Sequence, residues 1–218
     1  MSFPLMPVVP SPIIPSFSAA LRWSGSIVQN STLNVTPYIT SSFSTLMVVQ
    51  FYTAPGGGET FYYPPTTKLN GVDMPLVTSI YTNAFDDGNG WSVSAQSVSK
   101  GASSTLTWTS ASISHGAVYE VQGFTDMLAS KYAQSNSVVL SSSNSGAATS
   151  TTVNTTSKSK VLYLTLTATA GVDTSGKMDQ FNNLSGLEIG FDWNPSTPSS
   201  TYTGNSRGTS VISFNTNY

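Results

Sequence analysis

Cysteine is absent from the chain, and histidine occurs once, at His115. The first absence excludes disulfide bonds, thiolate zinc sites and cysteine nucleophiles. The single histidine is the only side chain whose ordinary pKa suits acid-base catalysis near neutral pH, and one imidazole cannot by itself build a catalytic triad or a metal site. The sequence Ser114-His115-Gly116 indicates a turn before a strand. We therefore predict that the protein is not an enzyme and that it uses no cofactor and no metal.

Charged residues are scarce as well. Only 8% of the residues are Asp, Glu, Lys or Arg, and the formal net charge is -2, whereas about 25% charged residues is ordinary for a soluble domain. The eight basic residues are scattered and offer no cluster for a nucleic-acid backbone, so we predict no nucleic-acid partner. The chain instead holds 38 Ser and 28 Thr. This composition indicates a surface that is hydrated by hydroxyl groups rather than by charges.

Long apolar runs are missing too, because none approaches the ~18 residues that a membrane-spanning helix needs. We therefore predict no membrane span. The N-terminal residues 1–18 are apolar but lack the basic residues of a secretory signal. Five prolines within residues 1–15 prevent a continuous helix and favour an extended, polyproline-like arm.

Two interpretations of this arm stay open. It is either a disordered tail, as chain termini commonly are, or an anchor that lies in a groove of a neighbouring subunit. The second interpretation is favoured because large apolar side chains are costly to leave in water. The candidate anchoring residues are Phe3, Leu5, Val8, Val9, Ile13 and Ile14.

From Ala19 onward the chain reads as short strands separated by turns, so we predict one all-β domain over residues 19–218. Its expected fold is an antiparallel β-sandwich, either jelly-roll or immunoglobulin-like. Residues 45–52 predict a central strand buried on both faces, and Asn70-Gly71 predicts a type I′ hairpin. Residues 126–134 predict a short helix. The other predicted strands cover residues 76–81, 91–94, 106–108, 117–121, 138–140, 150–154, 161–167, 187–191 and 211–214.

The segment from Ser42 to Gly171 resembles a β-sandwich module of phage tail and fibre proteins and of archaeal and bacterial surface proteins. The resemblance implies that Glu120 and Gly123 are structural residues of the fold. Because such folds host many functions, it implies architecture more than role. It rests on the order of Thr45-Leu46-Met47-Val48-Val49, Asn70-Gly71-Val72, Ser104-Thr105-Leu106-Thr107-Trp108, Ala117-Val118-Tyr119-Glu120-Val121-Gln122-Gly123-Phe124 and Lys160-Val161-Leu162-Tyr163-Leu164-Thr165.

Acceptor patterns for N-linked glycans give a signal about location. The pattern Asn-x-Ser/Thr occurs at the candidate glycosylation sites Asn30, Asn34, Asn154 and Asn183. A surface hydrated by hydroxyl groups suits an extracellular protein, yet the chain shows no export signal. A virion protein reconciles these features, because it is made and assembled inside the host and exposed only after release.

We therefore expect a structural surface protein of a virion, either a capsid-associated spike or turret component or a jelly-roll coat subunit. It would act in assembly and in host attachment, with host surface glycans as one class of ligand. Its expected partners are other virion proteins and other copies of itself in a closed homo-oligomer.

Two alternative functions stay open. One is a carbohydrate-binding module that uses Trp23, Trp91, Trp108 and Trp193 as a stacking platform. The other is a secreted surface-layer or pilus-type filament subunit.

Overall fold

Strands make up most of the described chain. The computed structural model describes residues 16–42, 44–53, 66–82, 89–109, 114–124, 133–137, 148–167, 180–184 and 187–216. Within these ranges a single 3-10 turn, Thr36–Tyr38, interrupts the β structure. The strands are β1 (Ser18–Ile27), β2 (Thr32–Asn34), β3 (Ser44–Thr53), β4 (Thr67–Leu69), β5 (Val72–Asp73), β6 (Leu76–Thr82), β7 (Asn89–Val98), β8 (Thr105–Trp108), β9 (Ser114–Gln122), β10 (Ala133–Ser137), β11 (Ala148–Asn154), β12 (Ser159–Thr167), β13 (Gln180–Leu184), β14 (Leu187–Asp192) and β15 (Ser199–Asn215).

The strands form three antiparallel sheets. The central sheet has the order β1-β9-β3-β7-β6, and the small sheet has the order β2-β8-β4-β5. The C-terminal sheet has the order β10-β15-β12-β14-β13, and β11 pairs with the first part of β15. The predicted all-β antiparallel sandwich is confirmed, and the small sheet adds a layer that the sequence did not predict.

Strand β3 shows how the three layers are held together. Its side chains alternate, so that Met47 and Val49 belong to the apolar core shared with the C-terminal sheet. Leu46 and Val48 point the other way and belong to the core shared with the small sheet. These side chains are at most 1% exposed, which confirms the prediction of a strand buried on both faces.

The hairpin between β4 and β5 confirms the turn predicted at Asn70-Gly71. Both residues have positive φ, 51° at Asn70 and 81° at Gly71. These values suit a two-residue type I′ loop. Leu69 pairs with Val72 directly across the loop, and Leu69 is buried in the core of the small sheet.

Strand β15 is longer than predicted and bends back on itself. At one end the amide of Thr155 donates to the carbonyl of Pro198 at 2.9 Å, and at the other the amide of Thr216 donates to the carbonyl of Lys158 at 3.0 Å. Residues 155–158 span at most about 11 Å, whereas 17 straight residues would span roughly 55 Å. The partner of β15 also changes within the strand, because β11 pairs with it as far as Asn205 and β12 pairs with it from Ser206.

The remaining sequence predictions have mixed outcomes. Predicted strands at 76–81, 91–94, 106–108, 117–121, 150–154, 161–167, 187–191 and 211–214 all lie within observed strands. The predicted strand 138–140 lies outside the described residues, as does most of the predicted helix 126–134. For the last two residues of that segment, Ala133 and Gln134, the helix prediction is wrong, because they are the first residues of strand β10.

The N-terminal region is described from Ser16. The candidate anchoring residues Phe3, Leu5, Val8, Val9, Ile13 and Ile14 lie outside the described residues. Strand β1 begins at Ser18, one residue before the predicted start of the domain. In the described part of the chain there is no helix with the length and hydropathy of a membrane span.

Candidate functional site

The most elaborate polar arrangement in the described residues surrounds Glu120 in β9. Neighbouring Tyr119 and Val121 point into the core shared with the C-terminal sheet, so Glu120 points to the opposite face of the central sheet. Val118 on that same face belongs to the core of the small sheet. The side chain of Glu120 is fully buried. A buried carboxylate needs hydrogen-bond donors, and the surrounding chain supplies them.

Donors from two separate segments meet at this carboxylate. Arg22 donates to Oε2 through Nε at 3.0 Å and through Nη2 at 2.5 Å. The hydroxyl of Thr40 also donates to Oε2, at 2.8 Å. The amides of Thr40 and Ser41 donate to Oε1 at 2.7 and 3.3 Å, and the Ser44 hydroxyl completes this set. We call these five residues the Glu120 centre.

Strand β1 places the arginine on the same face as Glu120. Ala19 and Leu21 pack against the core shared with the C-terminal sheet, so Arg22 points to the opposite face, as does Ala20, which pairs with Glu120. Leu21 pairs with Tyr119 and Trp23 pairs with Val118, so Arg22 is the extra residue of a β-bulge. The bulge turns Trp23 toward the core of the small sheet. The Arg22 side chain remains 31% exposed, while the Glu120 side chain is buried.

The hydrogen bonds control the ionisation of Glu120. Burial alone raises the pKa of a carboxyl group, but the donors from Ser44, Thr40 and Arg22 outweigh burial and lower the pKa of Glu120 from 4.5 to about 2. A carboxylate with this pKa does not accept a proton near neutral pH. The centre therefore joins β1, β9 and the segment before β3, and it is unsuited to acid-base catalysis. This geometry agrees with the structural role that the sequence resemblance implied for Glu120.

A second special position lies where the N-terminal segment meets the fold. Gly123 has φ of 77°, and a Cβ atom there would lie 2.4 Å from the backbone of Ser16 and Phe17. Only glycine allows this crossing. The Phe17 ring packs edge-on against Trp193, with ring centroids 5.4 Å apart, and lies 5.7 Å from Phe214.

Phe124 packs against the same group of aromatic rings, with its ring centroid 5.5 Å from that of Phe214. We call Phe17, Gly123, Phe124, Trp193 and Phe214 the N-terminal corner. It fixes the position of Ser16 and Phe17, the first described residues of the chain.

The tryptophans are divided between core and periphery. Trp91 and Trp108 are at most 1% exposed and belong to the two main cores. Trp23 and Trp193 are partly buried and pack against those cores. Trp91 and Trp108 therefore cannot contribute to an exposed platform for sugar stacking.

His115 lies within β9 and not in a turn before it, so that prediction was wrong. It stands opposite Ser26 of β1, and its Nε2 atom is 3.3 Å from the Ser26 hydroxyl.

A sequence pattern of serine hydrolases, Gly-x-Ser-x-Gly, occurs at residues 204–208. A nucleophile elbow needs a strand-to-helix turn, whereas these residues lie inside β15.

The candidate glycosylation sites lie in different settings. Asn30 is exposed in the turn after β1, and Asn154 is exposed at the end of β11. Asn34 is exposed too, but its side-chain oxygen accepts the amide of Thr36 at 3.0 Å. Asn183 lies in β13, opposite Glu188. In the ranges that the structure describes, no three His, Asp or Glu side chains come close enough to hold a metal ion.

Comparisons with protein-family models, with curated proteins and with solved structures found no match. Sequence reasoning identified Glu120 but not its partners, because Arg22 and Ser44 lie 98 and 76 residues away along the chain. The Gly123 crossing was equally hidden, since only the folded chain brings Ser16 to it.

Proposed function

We propose that this protein is a structural surface subunit of a virion, which acts in assembly and presents its hydroxyl-rich faces to the outside. The observation that carries the proposal is the N-terminal corner. Gly123 and the surrounding rings hold Phe17 on the body, and fifteen uncharged residues with five prolines precede Ser16. An apolar arm that leaves a fixed point on a rigid body is suited to joining copies of a subunit.

The Glu120 centre supports a role in which the subunit must survive outside a cell. It cross-connects segments far apart in sequence without a disulfide, and its carboxylate stays ionised well below neutral pH. The scarcity of other charges supports the same role, because few groups change their ionisation when the medium becomes acidic.

The experiment is density-gradient fractionation of released particles, with this chain and the packaged genome quantified in every fraction. The proposal expects the chain to follow the genome at a constant ratio through the gradient and after a high-salt wash. A chain that instead sediments as genome-free filaments, or that stays with cell envelopes, would favour the surface-layer or pilus-type alternative. A chain found only as a free monomer would contradict both assignments.

A further inference from the structure

Three large hydrophobic side chains are exposed in the described residues, namely Val28, Val72 and Leu76, with exposures of 65%, 64% and 51%. Two of them, Val72 and Leu76, are four positions apart along the chain. Val72 and Leu76 bracket the connection between β5 and β6, where Asp73 and Pro75 are exposed as well. We call Val72, Asp73, Pro75 and Leu76 the lateral flank.

The lateral flank has a fixed shape. Met74, in its middle, is 5% exposed and belongs to the core of the small sheet. The Met74 amide donates to the carbonyl of Thr67 at 2.8 Å, and the Pro75 carbonyl accepts the amide of Ala95 at 3.0 Å. The single charge of the flank, Asp73, lies 3.7 Å from the ammonium group of Lys68. The flank is therefore a preformed surface with apolar side chains and little net charge.

The N-terminal arm has the matching chemistry. Residues 1–15 carry no charge and include six large apolar side chains that are costly to leave in water. Their five prolines remove backbone donors and prevent the arm from joining a sheet as a regular strand. Such an arm binds mainly through side chains, and it needs a surface that already exposes apolar groups.

The positions of corner and flank allow the arm of a neighbouring copy to reach the flank. Strand β1, which starts at the N-terminal corner, and strand β6, which starts at the flank, are the opposite ends of the central sheet order. They are four strand intervals apart, or roughly 19 Å. Copies placed side by side would bring the corner of one next to the flank of the next, in a head-to-tail contact that repeats around a ring or shell. An extended arm of fifteen residues, about 46 Å in a polyproline conformation, is long enough for this contact and also for the flank of its own chain. The two cases differ in assembly, because only the contact between copies makes assembly depend on the flank.

We propose that the lateral flank binds the N-terminal arm of a second copy of this chain. This inference rests on the proposed function, because it names the contact through which the subunits assemble.

The test uses full-length chains with two kinds of variant. The flank variant carries Val72→Asp and Leu76→Asp, and the arm variant carries Val8→Asp and Val9→Asp. Val28→Asp is the matched control, because Val28 is as exposed as Val72 but lies outside the flank. Circular dichroism first establishes that all variants are folded, and light scattering after gel filtration then gives their masses.

Each variant alone is expected to associate at least about tenfold more weakly than the unaltered chain, whereas Val28→Asp assembles normally. An equal mixture of flank and arm variants is expected to form dimers and nothing larger, because it retains one intact contact. The proposal is overturned if the flank variant assembles normally, or if the mixture stays monomeric. Failure of the unaltered chain to assemble at all would instead contradict the proposed function.

Discussion

Replacing Glu120 by Gln keeps the shape of the side chain in the Glu120 centre and removes its charge. In the folded protein the pKa of Glu120 is about 2, against an ordinary 4.5. At about 1.36 kcal/mol per pH unit, this difference corresponds to about 3 kcal/mol of stability. Because the folded-state pKa is the lower one, the contribution is complete above about pH 5 and is lost as the pH falls toward 2.

The assay is urea unfolding followed by the fluorescence of the buried tryptophans, at pH 7 and at pH 3. At pH 7, Glu120→Gln is expected to lower the free energy of unfolding by about 3 kcal/mol. At pH 3 the unaltered protein has itself lost about 2 kcal/mol of this contribution, so the variant should then differ by only about 1 kcal/mol. Domains of ordinary stability, about 5–15 kcal/mol, survive that loss. We therefore expect the far-ultraviolet β signature and the oligomeric state to persist at about pH 3.

Asp73→Asn is the control, because Asp73 is an exposed acid that makes one long ion pair with Lys68. It should change stability by less than about 0.5 kcal/mol at either pH. Two results would refute the reasoning about the Glu120 centre. One is a Glu120→Gln variant as stable as the control at pH 7, and the other is a variant whose stability falls between pH 7 and pH 3 as steeply as that of the unaltered protein.

Three further predictions concern the N-terminal segment, the glycine crossing and the lone histidine. Removal of residues 1–15 should abolish assembly and leave the subunit folded, whereas removal of residues 1–18 should lower the melting temperature further, because it also deletes the Phe17 ring that packs on the core. Normal assembly without residues 1–15 would contradict the anchor. In chemical denaturation, Gly123→Ala should lower the free energy of unfolding by more than about 2 kcal/mol, since it adds a steric clash to an unfavourable φ. Gly71→Ala is the control, because Gly71 also has a positive φ but has open space around it, and it should cost about 1 kcal/mol. Equal costs for the two variants would be evidence against a close crossing at Gly123. His115→Ala should leave infectivity and particle yield unchanged, and a loss of infectivity by folded particles would point to chemistry at that imidazole.

The sequence predicted those features that depend on neighbours along the chain. A nearly continuous apolar run marked β3 as a strand buried on both faces, and Asn70-Gly71 marked a hairpin because both residues tolerate positive φ. Strand β8 and the hairpin between β4 and β5 were predicted, but their assembly with β2 into a separate small sheet was not, because the pairings of β8 with β2 and β4 join residues far apart along the chain. Strand β15 was predicted only at its C-terminal end, since Gly204 and Gly208 resemble the turn residues of a loop.

The site depended on contacts that local patterns do not contain. Glu120 attracted attention as an acid within an apolar strand, but its ionisation is set by Arg22, Thr40 and Ser44, which meet it only after folding. The β-bulge at Arg22 has no sequence signal of its own, because the residues around it read as an ordinary strand. Gly123 was marked as structural, but the reason, the passage of Ser16 and Phe17 across it, required the folded chain.

The central claim, a structural subunit on the outside of a virion, is tested most directly by labelling intact particles with antibodies against this chain and viewing them by electron microscopy. The antibodies should be raised against exposed segments such as the hairpin between β4 and β5, which includes the exposed residues Asn70 and Gly71. The account predicts label distributed regularly over the surface of unopened particles. Label that is absent from intact particles, and that decorates cell envelopes or free filaments instead, would contradict it.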